Sequence, residues 1–119
     1  MERKQISFEE FWPYYVAQHL HPVNRWLHFA GTSLALGCIA ASPAAPPLLL
    51  AAPVVGYGLA WIGHYGFEKN KPATFGNPLY SLVGDFKMWS LMLRGRMDAE
   101  IARLERSAAA EERPVEQAA

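Results

Sequence analysis

The sequence predicts an all-α chain: a small helical membrane protein with a two-helix transmembrane hairpin, flanked by N- and C-terminal amphipathic helices. Three observations support this fold class. Residues 26–67 contain no Asp, Glu, Lys or Arg, although the surface helices of soluble domains need a polar face. The proline-rich residues 42–47 divide this uncharged stretch into two arms. The segments before and after it carry apolar residues at helical rather than alternating spacing.

The N-terminal helix has a clear start signal. Ser7 and Glu10 stand three residues apart and predict a capping box, in which each side chain bonds the backbone amide of the other. Apolar residues then recur on one helical face. Pro22 disfavours helical backbone at the residue before it, so we expect this helix to end near His19 or Leu20.

The hairpin consists of residues 25–42 and 48–67, with Asn24 as the expected N-cap of the first arm. Eighteen helical residues cover roughly 27 Å, just enough for a thin bilayer core. Arg25, Lys69 and Lys71 flank the hairpin on one side, which the positive-inside tendency makes cytoplasmic. The alternative is a hairpin buried in a soluble helical bundle, since both arms are of marginal length.

The C-terminal third reads as loop, helix and tail. Residues 69–78 contain two prolines and a glycine and predict a loop. Apolar positions from Leu79 to Met97 then mark an amphipathic helix that can lie along the membrane interface, anchored by Trp89. Residues 98–119 are expected to form a charged helical extension that ends in a disordered tail. The chain therefore divides into a helical membrane domain, 1–97, and an extension, 98–119.

The composition excludes several classes of protein. Eleven basic residues balance eleven acidic ones, so nucleic acid is not an expected partner. The single cysteine cannot form an intrachain disulfide. The polar N-terminus lacks the apolar core of a secretory signal. We expect an integral membrane protein with both termini cytoplasmic, and the Ala-rich tail favours a bacterial inner membrane. The oligomeric state stays open.

Three histidines fall at one depth of the predicted hairpin. His28 and His64 each lie three residues inside an end of the uncharged stretch, about 4.5 Å below the same membrane face. His19 ends the preceding helix and can fold over that depth. Ionisable groups within membrane segments usually face protein or a polar cavity and mark function. Because neutral imidazole is a common metal ligand, the three together predict a metal site.

Carboxylates extend this prediction. Glu68 follows His64 by four residues and shares its helical face; histidines with a carboxylate suit a non-haem Fe(II) site or a catalytic zinc. His21 and Asp85 are possible additional ligands, and Asp85 is alternatively a hydrogen-bond partner of a ligand. The other interpretation is that Glu68 pairs with a basic residue such as Arg25 and that the histidines are hydrogen-bonded core residues.

Two segments carry a family resemblance. Residues 15–31, YVAQHLHPVNRWLHFAG, and residues 61–73, WIGHYGFEKNKPA, resemble the two signatures of the Mpo-type 2-hydroxy fatty acid dioxygenase family. They stand in the same order and at matching separation. His19, His28 and His64 fall on the histidines of the family, and Glu68 falls on its acidic position.

The resemblance implies a membrane enzyme that needs Fe(II) and O2 and shortens 2-hydroxy fatty acids by one carbon, a fatty acid α-oxidation; its fungal members reside in the endoplasmic reticulum. The first domain would then be dioxygenase-like. Glu68 and Arg25 would be catalytic, Arg25 by holding the substrate carboxylate bidentately or, alternatively, only by setting topology. Three other functions stay open: a non-catalytic helical membrane scaffold, a haem-binding protein and a zinc-dependent lipid hydrolase.

Overall fold

The structure, a computed structural model, describes residues 6–118. The described residues contain five α-helices, one π-helical turn, one 3-10 turn and no strand, which confirms the all-α fold class. In chain order these elements are α1 (Phe8–Ala17), α2 (Pro22–Ala41), α3 (Leu48–Ile62), the π turn (Gly63–Glu68), the 3-10 turn (Ala73–Phe75), α4 (Pro78–Leu93) and α5 (Met97–Ala118).

Helix α1 begins with the predicted capping box. The Glu10 amide donates to Ser7 Oγ at 3.2 Å, and the Ser7 amide donates to Glu10 Oε1 at 3.1 Å. The helix ends at Ala17, earlier than predicted. The amides of Gln18 and His19 then donate to carbonyls three residues back, at 3.1 and 2.9 Å. After this tighter last turn, His19 lies just beyond the end of the helix.

Helix α2 begins three residues earlier than predicted. His21 is its N-cap, and the His21 Nδ1 accepts a hydrogen bond of 3.1 Å from the Val23 amide. Pro22 occupies the first helical position, where its missing N–H costs nothing. The prediction of Asn24 as N-cap was therefore wrong, and Asn24 is fully buried inside the helix.

Helices α2 and α3 pack as an antiparallel hairpin across the turn at residues 42–47. Gly31 and Gly56 let the two backbones touch, since a Cβ added to Gly31 would lie 3.0 Å from the Gly56 carbonyl oxygen. At the other end of the hairpin, Gly63 packs directly against Asn24. The pairing brings the start of α2 beside the end of α3, where the π turn follows.

Within the described residues, one helical segment is long and apolar enough to cross a membrane. It runs from Leu48 to Glu68 with a mean hydropathy of 1.3, and 22% of its apolar window is buried within the protein. Leu50 and Val54 are 77% and 73% exposed on it. The other arm starts with the polar residues Asn24, Arg25 and His28. That both arms of the hairpin span a bilayer stays a prediction.

Helices α1, α4 and α5 pack together around a hydrophobic core. Asn77 caps α4 by accepting from the Tyr80 amide at 3.2 Å, and Gly95, at φ 69°, turns the chain into α5. Trp12 Nε1 donates to Glu100 Oε2 at 2.7 Å and ties α5 to α1. The prediction of a disordered end to the tail stays a prediction. The buried members of this core on the three helices are Phe11, Trp12, Tyr15, Val16, Met88, Leu91 and Met97.

Candidate metal centre

Three elements of the fold bring three histidines together. His19 lies in the turn after α1, His28 in the second turn of α2, and His64 in the π turn after α3. One ring nitrogen from each lies within 4.8 Å of the others. The three side chains are 1%, 5% and 2% exposed. The residues that the sequence placed at one depth thus form one buried cluster, which we call the histidine cluster.

Backbone carbonyls orient the first two imidazoles. His19 Nδ1 lies 2.6 Å from the Tyr15 carbonyl oxygen, and His28 Nδ1 lies 2.9 Å from the Asn24 carbonyl oxygen. A carbonyl only accepts, so each Nδ1 carries the proton and donates. Each Nε2 therefore presents a lone pair to the cluster. Burial lowers the pKa of His19 well below its usual value, and the neighbouring His28 lowers it further, which keeps this imidazole neutral.

An asparagine side chain orients the third imidazole. His64 Nδ1 lies 2.7 Å from Asn70 Oδ1. The Asn70 Nδ2 group donates to the Gln18 carbonyl at 3.0 Å, and this second bond fixes which amide atom is the oxygen. His64 therefore also donates through Nδ1 and presents a lone pair at Nε2.

The resulting arrangement lacks protons where the rings meet. The Nε2 atoms of His19 and His28 are 3.2 Å apart, and in these tautomers neither carries a hydrogen to share. A cation between the nitrogens would attract both lone pairs and so remove the repulsion between them. Metal-bound histidines commonly donate their other ring N–H to a carbonyl or carboxylate oxygen. The donor set therefore fits a metal ion held by three Nε2 atoms.

The space at the cluster suits an ion. The cavity lined by the three histidines has a volume of about 10 Å³, which is close to what one water molecule needs. It has no room for a porphyrin. Asp85, from α4, lines the same cavity.

Asp85 is linked to the cluster through Tyr15. The Tyr15 hydroxyl donates to Asp85 Oδ1, and the Tyr15 ring stacks on His19 with centroids 4.0 Å apart. Burial raises the pKa of Asp85 to about 6 and raises the pKa of Tyr15 well above its usual value. Asp85 thus lies beside the histidine cluster as a carboxyl group that is ionised at neutral pH and takes up a proton at a higher pH than an ordinary aspartate does.

The structure places Glu68 and His21 outside the histidine cluster. Glu68 Oε1 accepts from the His21 amide at 2.9 Å and from Asn24 Nδ2 at 3.1 Å. These bonds tie the end of the π turn to the start of α2. His21 caps that helix with its ring. Ligation by either residue stays a prediction.

Arg25 holds the backbone next to the cluster. Its Nη1 donates to the carbonyls of His19 and Leu20 at 2.9 and 2.7 Å, and its Nη2 lies 3.6 Å from Asp98 Oδ1. The side chain fixes the turn that carries His19. Its predicted contact with a substrate carboxylate stays a prediction.

The π turn explains how His64 reaches the cluster. A Cβ added to Gly63 would lie 2.1 Å from Asn24 Oδ1, so only glycine allows the turn to approach α2 this closely. Lys69, at φ 62°, ends the turn in the left-handed region. Inserted π turns are frequent at functional sites. Neither Asn70 nor Gly63 was among the predicted site residues, although both lie inside the second signature.

The chain is thus a helical protein whose hairpin carries a buried centre of three imidazoles, each hydrogen-bonded at Nδ1, that could hold a metal ion. Residues 5–97 match the model of one known family, described as 2-hydroxy-palmitic acid dioxygenase Mpo1-like. The chain belongs to that family, as the resemblance predicted. No curated protein and no solved structure matches the chain.

Proposed function

We propose that this protein is an Fe(II)-dependent dioxygenase that shortens 2-hydroxy fatty acids by one carbon. The observation that carries the proposal is the convergence of three buried Nε2 lone pairs, each fixed by a hydrogen bond at Nδ1. Membership of a family described by a dioxygenase supports the reaction class.

Three neutral nitrogen ligands leave coordination positions open. His19, His28 and His64 would hold the metal, and bound iron would supply a site for O2 and for the carboxylate and hydroxyl of the substrate. Three histidines also suit a catalytic zinc. The small cavity at the cluster disfavours haem.

The net reaction balances with O2 as the only oxidant. The bond between C1 and C2 of the 2-hydroxy acid breaks, C1 leaves as carbon dioxide, and C2 becomes the carboxyl carbon of the shorter acid. One molecule of O2 is reduced by four electrons, and one water forms. No reductant is needed, because the substrate supplies all four electrons.

The protein residues would position groups and move a proton. Asn70 and the carbonyls of Tyr15 and Asn24 hold the imidazoles in one tautomer. Asp85 shares the cavity with the histidines and is the carboxyl group there that can take the proton of the substrate hydroxyl. We retain Glu68 and Arg25 as proposed contributors, Glu68 by holding the π turn to α2 and Arg25 by holding the turn of His19.

We further propose that the protein lies in a bacterial inner membrane with both termini cytoplasmic and takes its fatty acid and O2 from there. Support comes from the exposed apolar side chains of α3, including Leu50 and Val54, and from the length of the segment Leu48–Glu68. The basic residues Arg25, Lys69 and Lys71 all lie at the opposite end of the hairpin from its connecting turn.

The test is metal analysis of detergent-purified protein prepared without oxygen, for wild type, His28→Ala, His64→Ala and the control His21→Ala. We expect near-stoichiometric iron in wild type and in the control, and loss in the two cluster variants. Iron-loaded wild type should then consume O2 with 2-hydroxypalmitic acid and release the acid one carbon shorter.

Each competing function has its own result. Zinc at full occupancy, with hydrolysis that does not depend on oxygen, would indicate a hydrolase, and a Soret band would indicate haem. A folded wild type that takes up no added Fe(II) would leave the histidines as hydrogen-bonded core residues of a scaffold. Iron uptake without turnover of any 2-hydroxy acid would refute the reaction and keep the site.

A further inference from the structure

A second, larger cavity opens beside the histidine cluster. It is a groove of about 320 Å³ between α2, α3 and α4, within the size range of small-molecule sites. On α2 its wall follows one helical face from His28 to Ile39, which by helical rise is about 16 Å long. We call it the apolar groove.

The apolar groove adjoins the cavity at the cluster. Four residues line both spaces: His28, Tyr57, Ala60 and Asp85. A ligand lying in the groove therefore has one end at the histidine cluster.

Polar groups are concentrated at that end. His28 and Asp85 stand where the groove meets the histidine cluster, and Thr32 follows one turn along α2. Beyond Thr32 the wall of α2 is carbon only, ending in Leu36 and Ile39. This distribution fits an amphiphile with a single polar head and a single apolar tail.

Small side chains make room for the tail. Ala35 of α2 faces Gly56 of α3, where an added Cβ would lie 3.6 Å from the Ala35 Cβ, and Ala52 continues this wall. Longer side chains at these positions would fill the groove. Because these side chains are short, they leave open the groove that lies beside the α2–α3 contact and under α4.

We propose that the apolar groove binds the acyl tail of the substrate within the protein, with the carboxylate and 2-hydroxyl at the histidine cluster. The far end, near Ile39 and Ala52, then limits the length of the tail. This inference rests on the proposed function for the identity of the head group, but it makes a separate claim: the tail lies in the groove and not in the surrounding lipid.

The experiment is photolabelling of the full-length, metal-loaded wild-type protein in nanodiscs. Two 2-hydroxypalmitic acids would be compared, one with a diazirine near the head and one with a diazirine at the last carbons. We expect the first to label residues near Thr32 and Tyr57 and the second to label near Ile39 and Ala52. A phosphatidylcholine carrying the same diazirine in one tail is the probe for bulk lipid and should label Leu50 and Val54.

Two results would overturn the proposal. One is labelling by both acids of the lipid-facing positions Leu50 and Val54, in the pattern of the phospholipid. The other is labelling that excess unlabelled 2-hydroxypalmitic acid does not reduce, or no labelling at all. Groove labelling by the phospholipid at the same level would assign the groove to a lipid tail and would also refute it.

A matched pair of variants adds a second readout. Leu36→Trp enlarges a side chain that lines the groove, whereas Leu34→Trp makes the same change on the same helix at a position that is 53% exposed and does not line it. We expect at least a tenfold weaker binding of 2-hydroxypalmitic acid in the first variant, a smaller loss for shorter acids, and no change in the second. Both should keep wild-type metal content.

The outcomes separate the two proposals. Groove labelling without turnover would refute the dioxygenase reaction and keep the groove. Turnover with lipid-side labelling would do the opposite. Equal binding by both tryptophan variants, with metal retained, would refute the groove alone.

Discussion

The replacement Asn70→Ala tests whether the hydrogen bond at Nδ1 of His64 supports metal binding. The variant removes the acceptor that lies 2.7 Å from that nitrogen and the donor to the Gln18 carbonyl. The imidazole is then free to rotate or to change tautomer, and the proton can move to Nε2, where it blocks ligation. His19 and His28 keep their backbone acceptors, so the site loses one of three braces.

The expected magnitude follows from comparable metal sites. Loss of a hydrogen-bond partner of a metal-bound histidine costs 10–100-fold in affinity, which is about 1.4–2.8 kcal/mol of binding free energy. Asn70→Asp should retain or raise the affinity, because a carboxylate accepts the same hydrogen bond more strongly.

The assay is titration of apoprotein with Fe(II), and with Co(II) as a spectroscopic probe, under anaerobic conditions. Asn77→Ala is the matched control, since it removes the cap of α4 and costs about 1 kcal/mol of stability without removing a hydrogen bond of any of the three histidines. We expect a lower melting temperature but an unchanged metal affinity in that control. Equal affinities in Asn70→Ala, Asn77→Ala and wild type would refute the reasoning.

Three further outcomes are expected. Gly84→Ala should weaken metal binding while Gly58→Ala does not, by the same titration, because a Cβ at Gly84 would lie 2.9 Å from the ring of Tyr15, which stacks on His19, one of the proposed ligands. Asp85→Asn should melt higher than wild type above pH 6 but not near pH 4, since a pKa raised from 3.8 to about 6 makes ionisation in the folded state costly. Hydrogen bonds from Arg103 and Trp12 lower the pKa of Glu100 from 4.5 to about 2. The ionised Glu100 therefore stabilises the fold above pH 4.5, and this stabilisation is lost as the pH falls towards 2. The melting temperatures of wild type and Glu100→Gln should converge over that range, and a constant difference would contradict this.

The sequence predicted the site better than its supports. His28 and His64 could be predicted to lie at one depth from the rise of an α-helix per residue and from the two ends of the uncharged stretch alone. Bringing His19 to the same depth required a turn after the first helix, and Pro22 indicated where that helix ends. These are local signals, and the described structure brings the three residues together.

The supporting contacts could not be predicted in the same way. Asn70 bonds a residue six positions earlier in the chain across a π turn, and that turn has no pattern of its own in the sequence. The role of Glu68 depends on its hydrogen bonds to α2, which require the packing of Gly63 on Asn24. The polar first turns of α2 also lower the mean hydropathy of that arm, and among the described residues only the segment Leu48–Glu68 is long and apolar enough to cross a membrane.

The hydrogen bonds of the three imidazoles differ in whether a substitution can remove the acceptor. Two of the acceptors are main-chain oxygens four residues before the histidine, in Tyr15 and Asn24, and every amino acid carries such an oxygen. Only the third acceptor, Asn70, belongs to a side chain. Substitutions at positions 15 and 24 therefore leave the acceptors of His19 and His28 in place, whereas a substitution at position 70 changes the acceptor of His64. Exchanging the Asn70 amide for a carboxylate, a hydroxyl or a methyl group offers a graded way to change the electron donation of one ligand, and with it the redox potential of a bound ion, while the other two are held constant.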